Sequence, residues 1–85
     1  MVPVVIYTRA YCSYCTWAKE LLRRKGVTFD EIDVTGRQER RAEMIRRANG
    51  EITTPQIFIG STHVGGCDEL YALERTGRLD ALLAA

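Results

Sequence analysis

The chain reads as an α/β domain, and three observations lead there. An apolar run, Val2 to Tyr7, is followed by a segment with helical spacing. A second strand-then-helix pair comes next, and then two short β-prone runs flank a two-residue turn ahead of a last helical stretch. The order βαβαββα starts with a parallel pair, because the crossover helix returns the chain in the same direction, and the hairpin adds antiparallel strands. Helices must cover both faces of so small a sheet.

Each element has its own warrant. Val2 to Tyr7 forms the first strand. The first helix runs from about Ser13 to Lys25, with Cys15, Ala18, Leu21 and Leu22 on one face and Gly26 as its C-terminal stop. Val27 to Val34 reads as a strand through Val27, Phe29 and Ile32, although Asp30-Glu31 breaks strict alternation. Thr35-Gly36 is a turn. A helix from Arg37 to Asn49 buries Ala42, Ile45 and Ala48 and stops at Gly50. Gln56 to Ile59 and Thr62 to Val64 make the hairpin around Gly60-Ser61. Gly65-Gly66 opens a helix from about Cys67 to Thr76, with Leu70 and Leu73 inward. Leu79, Leu82 and Leu83 suggest a short terminal helical turn.

Composition narrows the class. The 85 residues allow one domain spanning 1–85, and a hydrophobic fraction of 46% supports a real core. Three cysteines are too few and too odd in number for a disulfide framework, which fits a reducing compartment, and the expected location is cytoplasmic. The longest apolar stretch is far too short to span a bilayer, and no basic-then-apolar leader precedes the first strand, so no signal peptide is expected. A net charge of +1 argues for neither nucleic acid nor membrane as a partner. The arginines at 23, 24, 37, 40, 41, 46 and 47 are interleaved with Glu20, Glu39 and Glu43 and read as solvated helix faces.

Cys12-Ser13-Tyr14-Cys15 carries the chemistry. A strand that delivers Cys-x-x-Cys onto a helix start is the arrangement of thiol–disulfide exchange. Free N–H groups and the dipole at that helix end favour negative charge, so Cys12 ionises more easily than a free cysteine and becomes the attacking thiolate. Cys15, one turn inward beside Ala18, is the less exposed resolving thiol. A purely structural Cys12–Cys15 bridge would close too short a loop to stabilise much. Zinc is the chemical rival, with Cys12, Cys15, His63 and Cys67 as its four ligands. Yet His-x-x-x-Cys is an unusual spacing, and Gly65-Gly66 divides that pair. His63 is read as structural and Trp17 as a packing residue.

Three motifs in order give the chain a resemblance over essentially its full length. Tyr7-Thr8-Arg9 stands ahead of the Cys12–Cys15 motif. Thr53-Thr54-Pro55-Gln56-Ile57-Phe58-Ile59 follows, then Gly65-Gly66-Cys67-Asp68-Glu69-Leu70. The chain resembles the glutaredoxins, small proteins of thioredoxin-like fold that use glutathione. The resemblance implies a four-stranded mixed sheet of order 2-1-3-4 and a cis bond before Pro55. It also implies a glutathione site made of Arg9, Tyr14, Thr54, Pro55, Gly66, Cys67 and Asp68.

The resemblance also implies roles, which the residue types can fill. Arg9 pairs with a glutathione carboxylate, and a guanidinium allows it to do so bidentately. Tyr14 walls the site, or is a plain surface aromatic. Pro55 has no N–H, and Thr54 presents backbone N–H and C=O to an extended substrate cysteine like a short added strand; only its backbone is expected to matter. The glycines permit close approach, and N–H groups at the helix start cradle a carboxylate. Asp68 pairs with an ammonium group, caps the helix, or does both. Cys67 is a core-packing or site-flanking thiol, or a redox-sensitive third one.

The expected activity is glutathione-dependent reduction of glutathione mixed disulfides and protein disulfides, by a monomer supplied with glutathione through a separate NADPH-dependent reductase. Its partners are glutathione and glutathionylated or disulfide-containing proteins. Ser13 replaces the proline common in the family. Relatives with serine there include ones that hold a 2Fe–2S cluster between two subunits through the first cysteine and glutathione, so a cluster scaffold with Cys12 as ligand is one alternative. A thioredoxin-like hydrogen donor reduced by thioredoxin reductase is the other; the absence of Trp-Cys-Gly-Pro-Cys argues against it.

Overall fold

The computed structural model describes residues 2–85. Its elements are β1 (Val4–Thr8), α1 (Ser13–Arg24), β2 (Asp30–Asp33), α2 (Gln38–Arg47), β3 (Gln56–Ile59), β4 (Thr62–Gly65), α3 (Cys67–Arg75) and α4 (Leu79–Ala84). The sheet order is β2-β1-β3-β4, with β1 parallel to β2 and antiparallel to β3. This is the thioredoxin-like architecture that the motifs imply.

Period-two alternation sorts the side chains of β1 and β3 onto two faces. Val4 and Ile6 sit opposite Ile59 and Ile57 in the antiparallel register. They meet Ala18, Leu21 and Leu22 of α1, Leu70 of α3, and Leu79 and Leu83 of α4 in one buried cluster. On the other face Tyr7 and Phe58 meet Val34, Met44 and Ala48, with Val5, Ile32 and Ile45 packed alongside. Helices therefore cover both faces. No helix among the described residues is long and apolar enough to cross a membrane.

Two element readings need correction. The strand expected over Val27 to Val34 is regular only at Asp30–Asp33; Val27 and Phe29 lead into it and pack on the first cluster. In α2 the buried residue is Met44, with Ala48 buried at the C-cap and Ile45 half-buried, while Ala42 is exposed. Residue 42 lies about 200° around the helix from residue 44, so a side chain that suits the core in size still points to solvent. Left-handed Asn49 and Gly50 (φ 56° and 92°) end that segment. Gly60 (φ 58°) makes the hairpin turn as expected, with Ile59 paired to Thr62.

Candidate active site

The chain leaves β1 through Arg9 and Ala10 and reverses at Tyr11, which is fully exposed and left-handed (φ 56°). A non-glycine residue there is strained, and such strain concentrates where a loop must aim a functional group. It delivers Cys12 as the N-cap of α1, in extended conformation (φ −120°, ψ 102°). The Cys12 sulfur takes the capping position: the Cys15 N–H donates to it at 3.1 Å. No acidic residue occupies the first turn of α1, so the unpaired N–H groups and the helix dipole act on this sulfur without an opposing charge there. Cys12 is half-buried, and Cys15 is 2% exposed beneath it. The two are joined as a disulfide, with Cα atoms 5.2 Å apart.

Across from α1, the Thr54-Pro55 bond is cis. The Thr54 carbonyl oxygen lies 3.7 Å and its hydroxyl oxygen 3.8 Å from the Cys12 sulfur. The hydroxyl donates to the sulfur, so Thr54 does more than offer backbone, and the sequence reading that only its backbone counts is incomplete.

Most of the remaining expected site residues line two clefts. Arg9, exposed, lines one cleft with Tyr11, Arg41, Thr53 and Thr54. The other, of about 530 Å³, is lined by Tyr14, Trp17, Cys67, Asp68, Tyr71 and Arg75. Trp17 is half exposed and meets the Tyr14 ring edge-on, with centroids 5.4 Å apart. It is thus a wall of this cleft rather than a core residue. Tyr71, which sequence reasoning passed over, is tied to α1 by its hydroxyl donating to the Trp17 carbonyl at 3.1 Å.

At the start of α3 the capping is done by Glu69, whose carboxylate accepts from the Gly66 N–H at 2.7 Å. Asp68 is therefore not the cap; it is exposed and lines the second cleft. The N–H groups of Cys67 and Asp68 occupy the first turn, where intrahelical acceptors are lacking. A Cβ on Gly66 would stand 3.2 Å from the capping Glu69 carboxylate, and the Pro55 carbonyl oxygen lies 3.4 Å from that position. Cys67 is both core and site wall, 7% exposed in the apolar cluster and lining the cleft. Burial, followed by the carboxylates of Asp68 and Glu69, raises its thiol pKa, which favours the protonated form.

Among the described residues no three His, Cys, Asp or Glu side chains gather as a metal site. His63 instead bonds Gln56 at 2.7 Å and stacks on Phe58. Beside Cys15, Glu31 accepts from Thr8 (2.7 Å) and Lys19 (3.0 Å). Burial pushes the Glu31 carboxyl up, yet these two bonds outweigh it and hold the pKa below the ordinary range.

A dithiol at a helix start, on a mixed sheet of order 2-1-3-4 and facing a cis-proline loop, defines a thioredoxin-like thiol–disulfide oxidoreductase. The comparisons narrow the class. The family model for glutaredoxin matches residues 4–64. The glutaredoxin of Pseudomonas aeruginosa is 65% identical over 85 residues, covering 100% of both chains. The solution structure of Brucella melitensis glutaredoxin superposes with a TM-score of 0.85 at 63% identity, over 98% of this chain and 89% of that one. A buckwheat glutaredoxin–glutathione complex gives 0.86 at 30% identity, over 98% and 77%. The chain belongs to the glutaredoxin family.

Proposed function

We propose that this protein reduces glutathione mixed disulfides and protein disulfides in the cytoplasm, with glutathione as the reductant. The observation that carries the reading is the Cys12 sulfur itself. It accepts an N–H at a helix start and touches the carbonyl and hydroxyl of Thr54, a residue that also lines the Arg9 cleft. Glutathione has a carboxylate at one end and an amino-acid zwitterion at the other. Arg9 suits the first, and Asp68 with the N–H groups opening α3 suits the second. The glutathione carried by the buckwheat relative supports the same ligand.

In the reaction, the Cys12 thiolate attacks the glutathione sulfur of a mixed disulfide. A Cys12–glutathione bond forms, the substrate thiolate leaves, and it takes a proton from water. A second glutathione, as thiolate, attacks the glutathione sulfur of that adduct, giving glutathione disulfide and restoring the Cys12 thiolate. The sum is an exchange: the incoming glutathione is oxidised to its half of glutathione disulfide, the substrate sulfur is reduced to a thiol, and the glutathione taken from the substrate stays at the disulfide level. For a protein disulfide, Cys12 attacks one sulfur and releases the other as a thiolate. Cys15 then attacks Cys12, releases the second substrate thiolate and forms the bond seen here, which two glutathione molecules reduce with release of glutathione disulfide. Neither metal nor general base is needed in this scheme, because a thiolate is already a good leaving group.

Turnover of a glutathionylated peptide, coupled to glutathione, glutathione reductase and NADPH, tests the proposal. Wild type and Cys15→Ser should both turn over, and Cys12→Ser should be inactive. Wild-type activity with thioredoxin reductase instead would establish the thioredoxin-like alternative. Inactivity in both systems would leave the iron–sulfur scaffold, tested by anaerobic reconstitution with iron, sulfide and glutathione.

A further inference from the structure

Gln56 has no exposed surface although its side chain is an amide. It immediately follows the Thr54-Pro55 bond and pairs with Tyr7 at the end of the β1–β3 register. Its amide nitrogen turns back along the chain. It lies 3.1 Å from the Thr53 carbonyl, 3.2 Å from the Thr53 hydroxyl and 3.4 Å from the Glu51 carboxylate. Carbonyl and carboxylate oxygens only accept, so this end of the amide must be the NH₂ end. The amide oxygen then faces His63 Nε2 at 2.7 Å, and His63 must donate from Nε2. The ring of His63 is itself held against Phe58, with centroids 4.9 Å apart and planes 24° from parallel. The Arg47 guanidinium also lies over Phe58, 4.2 Å from its centroid.

Residues 51–55 have no regular secondary structure. No strand ladder therefore sets Thr53 and Thr54 at their distance from Cys12, while the side chain of Gln56 reaches Thr53 from the first position of β3. A buried amide is costly unless bonded, and an apolar residue would hold the sheet at least as well. What the amide adds is direction.

We propose that Gln56 and His63 are positioning residues: Gln56 clamps the Thr53–Thr54 edge against the Cys12 sulfur, His63 orients the clamp, and together they set how tightly an extended disulfide substrate is held. The inference rests on the reading of Thr54 as the substrate-binding edge.

The test compares wild type with Gln56→Ala, His63→Ala, His63→Gln and the double alanine variant. Two substrates are used, the glutathionylated peptide with glutathione and a protein disulfide with dithiothreitol. All rates are taken where circular dichroism shows the variant folded. Gln56→Ala should raise KM about fivefold on both substrates, the worth of one buried hydrogen bond, with kcat within about twofold of wild type. His63→Ala should do the same to a lesser degree. His63→Gln should recover the wild-type KM, because its amide nitrogen can donate from near the Nε2 position. The double variant should be no worse than Gln56→Ala alone, since the two act as one device.

Wild-type KM in Gln56→Ala, a loss confined to kcat, or additive losses in the double variant would each overturn the proposal. If Gln56→Ala does not fold, the His63→Ala and His63→Gln pair decides by the presence or absence of rescue. Failure of wild type on the glutathionylated peptide alone would refute glutathione dependence, while the clamp is still judged on the protein disulfide.

Discussion

The two faces of the sheet are held by different means. Under α1, α3 and α4, Ile6, Leu22, Ile57, Leu70 and Leu79 meet in a continuous apolar cluster, each fully buried. Under α2 the contacts are mixed. The Tyr7 hydroxyl donates to Glu43 at 2.5 Å and accepts from Arg47 at 2.8 Å, and the Tyr7 ring meets Phe58 edge-on at 5.8 Å. On the same face Gln56 and His63 form a second, separate polar set that reaches Thr53. Dispersion and burial are non-directional, so the first face supplies most of the stability without specifying orientation. Hydrogen bonds add little net stability but fix angles and distances. The active-site loop is attached to the directional face.

The largest break in this contrast is Leu22→Ala. Removing a fully buried leucine from the apolar face should cost about 2–5 kcal/mol, from lost transfer energy plus the cavity left behind. Denaturant titration checks it, as a shift in midpoint with an unchanged slope. A loss below about 1 kcal/mol would mean that this face is not the main store of stability.

A smaller change is expected from Tyr7→Phe on the other face. The ring packing survives and only the hydroxyl's bonds go, so the cost should be about 0.5–1.5 kcal/mol. Melting temperature reads it as a drop of about 4–8 °C per kcal/mol for a domain of this size. A cost equal to that of Leu22→Ala would erase the distinction between the faces.

The smallest effect is pH-dependent. The Tyr7 hydrogen bond holds the Glu43 carboxyl below its ordinary 4.5; desolvation opposes this, and Arg40 adds to the lowering. A carboxylate with a depressed folded pKa contributes stability that is present above 4.5 and lost as pH falls through the folded value. Glu43→Gln should therefore be less stable than wild type at pH 7 by under about 1 kcal/mol. The two proteins should converge in acid; a gap that persists there would show that the loss is not electrostatic.

Much of the apolar face is legible in the sequence. Cys15, Ala18, Leu21 and Leu22 recur at helical spacing, and all four are buried in α1. The polar face is not. Ala42 and Met44 are both acceptable core residues in an arginine-rich helix, and only docking onto Tyr7 and Phe58 decides which one turns inward. Nothing in the local pattern shows that Gln56 is buried, because its partners are Thr53 and Glu51 on one side and His63 on the next strand. Trp17 is similar: its spacing on α1 allows either role, and the approach of Tyr71 and Cys67 from α3 makes it a cleft wall.

The sequence by itself determined the order of elements, the Cys12–Cys15 pair at a helix start, and the family. Each of these is written in local spacing, through hydrophobic period, glycine stops and the separation of two thiols. Only the tertiary structure decided what surrounds the reactive sulfur. The Thr54 hydroxyl reaches Cys12 from 42 residues away, α3 supplies cleft walls opposite Tyr14 and Trp17, and Gln56 meets His63 across the β3–β4 pair. Such contacts depend on how the two sheet faces pack, and the spacing of residues along the chain does not encode that.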